Sequence, residues 1–192
     1  NFCTLNPLYG NSNLTYSDGN LVARQTSNDW NWSTGTSTMM TSSGKYYAEF
    51  EVVGSYAEWI VGILSDETSS YYIYTSNQHF GRSGNSGNGY VIQASQNNFV
   101  FYASANEGSA TTINGGTQPQ AGDIIGLAVD LDSGSIIITL NGNTITNGTQ
   151  SITTGGKQWG FGFSLGDNPN VSGSPSIEAN FGQQPFKYDP PE

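Results

Sequence analysis

Charge is scarce in this chain. Asp, Glu, Lys and Arg together make up 10% of its 192 residues, against roughly 25% in ordinary globular proteins. Its solvated surface is therefore built from neutral Ser, Thr, Asn and Gln, which suits an extracellular setting. Bases are scarcer still. Arg24, Lys45, Arg82, Lys157 and Lys187 are the five, scattered among 15 acids for a formal charge of -10. Such a surface repels a duplex or an anionic membrane over most of its area, and no basic patch offsets this. Nucleic-acid binding is excluded on that ground.

Cysteine is nearly absent. Cys3 stands alone, so an intrachain disulfide and a multi-thiolate zinc site are both excluded. It reads as a small buried hydrophobe near the terminus. No apolar run approaches the ~18 residues that a membrane-spanning helix needs. Helical periodicity over ten residues is also missing. The chain opens on Asn1 and ends on Asp189-Pro190-Pro191-Glu192. Both ends read as cut, as in a piece of a longer polypeptide.

What is abundant is strand-and-turn material: 25 Gly, 11 Tyr and 9 Phe, with many Ser, Thr and Asn. Turn signals recur at short intervals, the pattern of an all-β sandwich or barrel. Residues 46–53 (YYAEFEVV) alternate, which predicts one wet and one buried face. Residues 59–64 (WIVGIL) form a continuous apolar run, as in a central buried strand. Residues 90–93, 99–103, 124–131, 136–140, 159–165 and 177–181 read as further strands. Asn141-Gly142 supplies a tight hairpin turn. A length of 192 residues fits one domain with a sizeable core. Trp59, Val61, Ile63, Ile125, Leu127, Val129, Ile137 and Phe161 are the expected interior.

The order of these segments resembles a SPRY domain. Residues 44–52 (GKYYAEFEV) are similar to its opening strand, and Val61-Gly62-Ile63 to its "VGI" strand. Residues 122–130 (GDIIGLAVD) resemble the "GDvIG…D" strand. Asn141-Gly142 and Asn180-Phe181-Gly182 fall where that family has "NG" and "NFG". The likeness covers most of residues 36–186 within a single domain spanning 1–192. It implies an all-β, two-sheet antiparallel, concanavalin-like β-sandwich that binds a protein through loops at one rim, with no cofactor. The flanks, residues 2–8 with 16–21 and 180–188, are similar to SPRY-like domains of bacteriophage structural proteins. That implies a non-catalytic recognition or assembly module of a virion (tail fibre, adhesin or capsid decoration), with a virion or host-surface partner and a possible homo-oligomer through the parent chain. The departure lies in the middle. Residues 71–82 (YYIYTSNQHFGR) replace the family's "GYDGDSWGYxxxG" region, so the residues of its peptide pocket are not carried over.

Two further classes compete, a carbohydrate-binding module and a glycan-cleaving enzyme. Retaining hydrolysis needs carboxylates about 5–5.5 Å apart. Glu49 and Glu51 share a strand face at about 6.5–7 Å, but no Glu-x-Asp-x-x-Glu motif is present, and they read as a solvated face. Asp130 and Asp132 flank a turn, with Asp132 expected to cap its own backbone. No dense acidic loop suggests calcium, and no metal site is expected. His79 is the single histidine and lacks a Gly-x-Ser-x-Gly elbow; it reads as a loop residue. The sequons at Asn13, Asn31, Asn147 and Asn170 are no more than an Asn/Ser/Thr-rich composition produces. Aromatic residues in polar surroundings carry the binding expectation. Tyr71, Tyr72 and Tyr74, with His79 and Arg82, centre the expected surface, and Trp30, Trp32 and Asn106 are its expected neighbours. The tyrosines fit two readings, contact anchors or inter-strand packing.

Overall fold

The computed structural model describes residues 2–26, 31–53, 58–75, 78–82, 84, 87–95, 98–103, 109–166 and 174–191. Expected neighbours Trp30 and Asn106 lie outside them. Two seven-stranded sheets face one another. Sheet A has the order β1 (Leu5–Gly10), β4 (Trp32–Ser37), β13 (Trp159–Gly166), β6 (Glu58–Ser65), β7 (Gly89–Ser95), β8 (Asn98–Tyr102) and β9 (Ala110–Thr112). Sheet B has the order β12 (Asn143–Ser151), β11 (Ser135–Leu140), β10 (Ile124–Asp130), β5 (Lys45–Val53), β14 (Ser176–Asn180), β3 (Val22–Gln25) and β2 (Leu14–Ser17). All these neighbours are antiparallel, so the expected two-sheet sandwich is what the chain adopts.

The period of two along each strand builds the space between the sheets. Sheet A contributes Trp59, Val61 and Ile63 from β6 with Trp159 and Phe163 from β13, and sheet B contributes Ala48, Phe50, Ile125, Leu127 and Val129. Phe161 packs against this core while partly exposed. Ile137 is the correction. Ile136 and Ile138 are the buried members of β11, because they stand opposite Val129 and Leu127 in the ladder; Ile137 takes the other face. A run of three isoleucines contains no alternation from which to choose.

Strand β13 explains how sheet A is covered on its second face. It alternates large inward residues with Gly160, Gly162, Ser164 and Gly166 outward. Leu64 and Phe80 fill the space over Gly162, Met40 that over Gly160, and Trp32 that over Gly166. A second apolar cluster of Trp32, Ile60, Leu64, Ile73, Phe80 and Val91 forms there. Strand β4, inside a Ser/Thr-rich stretch with no legible alternation, is buried along its whole length. Its outward Thr34 hydroxyl meets Ser164 at 2.7 Å, so paired hydroxyls replace apolar contact.

Glu49 is not on a wet face. It is 4% exposed. The chain after β14 crosses the outer face of sheet B, and the Glu49 carboxylate accepts the backbone N–H groups of Lys187 and Tyr188, each at 2.8 Å. Phe186 meets Tyr47 edge-on at 4.8 Å, and Tyr188 lies against Gly142. Glu51 stands directly opposite Glu178 on β14, a like-charge pair. The turn after β10 also differs from expectation. Asp130, not Asp132, caps it, accepting from the N–H groups of Asp132 at 3.0 Å and Ser133 at 2.9 Å. Asp132 instead accepts from the Gly44 N–H at 3.0 Å. At the hairpin, Asn141 and Gly142 have φ of 49° and 78°, the left-handed values such a turn requires.

Two predictions follow from these carboxylates. Glu49→Gln replaces one anionic acceptor with an N–H₂ facing backbone donors and should cost about 2 kcal/mol in urea unfolding. Glu51→Gln, which relieves the repulsion with Glu178, should be neutral within about 0.5 kcal/mol or stabilising. Equal losses in the two variants would contradict this account. The Ser133 N–H, then its hydroxyl, and the Lys45 ammonium at 3.3 Å lower the Asp130 pKa from 3.8 to about 2. A lowered native pKa contributes stability above the unfolded value and loses it as pH falls through the folded one. The stability gap between wild type and Asp130→Asn should therefore narrow as pH drops from 3.8 towards 2, measured from urea midpoints.

Candidate functional site

The segment after β6 decides what the outer face of sheet A presents. The Ser65 hydroxyl accepts the Glu67 N–H at 3.3 Å, and the Ser69 hydroxyl accepts the Tyr71 N–H at 3.3 Å. That cap starts α1 (Ser70–Tyr74), which ends when the Thr75 N–H reaches the Tyr71 carbonyl. Tyr71 to Tyr74 are thus helical and belong to no strand. A helical turn puts residues three apart on one side. Ile73 faces the sheet and is fully buried, while Tyr71 and Tyr74 are 51% and 46% exposed. Tyr72 is half-buried, its hydroxyl against Gly84, where a side chain would collide with it.

His79 and Phe80 then insert into the sheet. Phe80 is sealed over Gly162. His79 is a buried loop residue whose ring lies 4.8 Å from that of Trp32. The half-buried Arg82 donates its backbone N–H to the His79 carbonyl at 3.2 Å. The structure therefore brings Trp32, Tyr71, Tyr72, Tyr74, His79 and Arg82 into one region, in two levels. Trp32 and His79 lie underneath as support, and the tyrosines stand above them. The region spreads across the outer face of sheet A.

A neighbour that the sequence reading missed comes from β1. Tyr9 meets Tyr74 edge-on at 5.4 Å, and Asn11 donates to the Tyr74 carbonyl at 3.3 Å. Tyr71 and Tyr72 form a second edge-on pair at 5.3 Å. Leu8, beside Tyr9, is 89% exposed. Burial, then the proximity of Tyr74, raises the Tyr9 pKa above its ordinary value. No signal in residues 5–10 pairs them with a segment more than sixty positions away. The result is a platform of neutral rings fixed by mutual edge contacts and by the packed layer below. It offers contact area and hydroxyls. Among the described residues, no group of three or more His, Cys, Asp or Glu side chains is placed to hold a metal.

No family model matches the sequence, and no curated protein matches it either. Solved structures match its fold. The SPRY domain of human HERC1 aligns with a TM-score of 0.66, covering 94% of this chain and 99% of that one at 12% identity. The PSpry domain of TRIM65 gives 0.64, covering 94% and 92% at 10% identity. Stonustoxin gives 0.65 at 17% identity, covering 94% of this chain but 27% of the toxin chain. At such identities the likeness is one of fold. The two sheets make a SPRY-type, concanavalin-like β-sandwich, as the strand motifs implied.

The two levels should separate on substitution. Phe80→Ala removes a sealed ring from over Gly162 and should cost about 3–5 kcal/mol. Tyr71→Ala and Tyr74→Ala, which remove half-exposed rings, should each stay within about 1 kcal/mol. Thermal unfolding of the three variants checks this; a large loss at both tyrosines would make them packing residues.

Proposed function

We propose that this domain is a non-catalytic recognition module that binds a protein partner through the aromatic platform of Tyr9, Tyr71, Tyr72 and Tyr74. The observation that carries this reading is the pair of exposed tyrosines on α1, pre-set by Tyr9 and Tyr72 over a sealed layer. Rigid rings give large contact area at low entropic cost, which is what interface anchors supply. Arg82, one of few bases on an acidic chain, adds a point for a partner's carboxylate. The engagement of Glu49 with the backbone of Lys187 and Tyr188 supports a structural role for that carboxylate.

The parent protein on this proposal is a virion structural protein such as a tail fibre, adhesin or capsid decoration, and its partner another virion protein or a host-surface receptor. The sparse charge, the Ser/Thr/Asn-rich surface, the single cysteine and the flanking segments support it. A glycan is the alternative ligand, favoured by the exposed rings of Tyr71 and Tyr74, since such rings also stack on sugar faces. A glycan array separates the two, because an assembly domain shows no saccharide preference.

Tyr71→Ala, Tyr74→Ala and Arg82→Ala should be assayed for binding to host cells or to the cognate virion partner, with unfolding followed in parallel. Each tyrosine should cost about 2 kcal/mol of binding, about 30-fold in Kd. Unchanged binding in all three folded variants would refute the placement.

A further inference from the structure

The sandwich is not closed at the end where β5 and β13 begin and β10 stops. Phe161 occupies an inward position on β13 between Trp159 and Phe163, both sealed, yet it remains partly exposed; so does Phe181, just past β14. The cause is a cavity of about 390 Å³ reaching into the inter-sheet core. Ile63, Val129, Trp159, Phe161 and Phe181 form its inner wall, and Cys3, Met39 and Tyr46 stand among the residues nearer its mouth. The half-buried Cys3 therefore lines an open pocket, where a sealed position was expected. Phe2 also lines the cavity but does not fill it, being 73% exposed.

The walls are fixed before anything binds. Thr41 and Trp159 exchange backbone hydrogen bonds at 2.9 and 2.7 Å. The Tyr46 hydroxyl donates to the Thr41 hydroxyl at 3.2 Å, and the Leu131 N–H donates to the Gly44 carbonyl at 3.0 Å. Phe161 and Phe181 are 5.8 Å apart and both meet the sealed Phe50, so the deep end is a braced three-ring cluster. Strand backbone and mutually supported rings resist collapse, and an apolar space of this kind takes an apolar guest.

The chemistry of the lining selects the guest. Among the described residues no charged side chain lines the cavity, so an ion would be desolvated there without a partner. The chain's charge of -10 further disfavours an anion. Of the lining hydroxyls, that of Tyr46 already bonds to that of Thr41, and that of Tyr47 donates to Glu49. We propose that this cavity is a binding site for a neutral, largely apolar small molecule, flat enough to lie between aromatic walls and of about two or three rings in size. The site is separate from the tyrosine platform, which lies on the outer face of sheet A, and does not depend on that surface's function.

The test uses N-phenyl-1-naphthylamine, a neutral fluorophore that brightens in apolar surroundings, titrated into the intact chain. Saturable enhancement with one probe per chain is expected. Val129→Phe should occupy the void, and Met39→Glu should place a charge at the mouth. Each should weaken binding by about tenfold or more, while Tyr71→Ala and Tyr74→Ala leave it unchanged. Met39 is 43% exposed, so Met39→Glu decides the matter should Val129→Phe fail to fold. Absence of saturable enhancement with folded wild-type chain would overturn the proposal and leave the void to a protein side chain or to nothing. Undiminished binding in a folded Met39→Glu chain would overturn it equally.

Discussion

A sheet that is apolar on both faces has to be covered twice, and sheet A is such a sheet. Its central strand β6 sends Trp59, Val61 and Ile63 towards sheet B and Ile60 and Leu64 the other way. Its neighbour β13 helps by placing glycine or serine at each outward position, which leaves a trough for Met40, Leu64, Phe80 and Trp32. Something must close that trough, and Ile73, His79 and Phe80 do so. The tyrosines of α1 are displayed because other residues of the same short segment are buried. Display and burial are two sides of one requirement.

Sheet B meets the opposite difficulty. Its outer face carries Glu49, Glu51 and Glu178, groups that water would normally satisfy. One of them is taken out of water and given two backbone N–H donors by the segment after β14. Hydrogen bonds to a charged acceptor are among the stronger ones available to a fold, and this one holds an extended segment without a ladder. The sandwich is thus sealed on one side by apolar contact and strapped on the other by a buried carboxylate.

Most of the strand framework was legible because alternation and turn dipeptides are local. Residues 45–53, 124–130 and 135–140, with the Asn141-Gly142 turn, lie within a residue or two of where the pattern put them. What was not legible depends on partners distant in the chain. Glu49 looked wet because the backbone groups that bury it come 138 and 139 positions later. Strand β4 showed no alternation because Thr34 and Thr36 find polar partners on Ser164 and Tyr9 in place of apolar packing. Helix α1, with five residues, is shorter than any window in which a 3.6-residue period shows. The region around Tyr71 to Arg82 was legible as residue types in one stretch. Its layering was not, since Trp32 and Tyr9 join it from other strands.

The position of β14 has a consequence for how the chain is made. It lies between β5 and β3, joining the β12–β11–β10–β5 half of sheet B to the β3–β2 half. Of the described strands, Ser176–Asn180 is the last in chain order. Until it is made a nascent chain holds two half-sheets, each with a bare edge of unpaired amides and carbonyls. Such edges recruit stray strands, so the ribosome must finish nearly the whole domain before its own last strand stitches the seam.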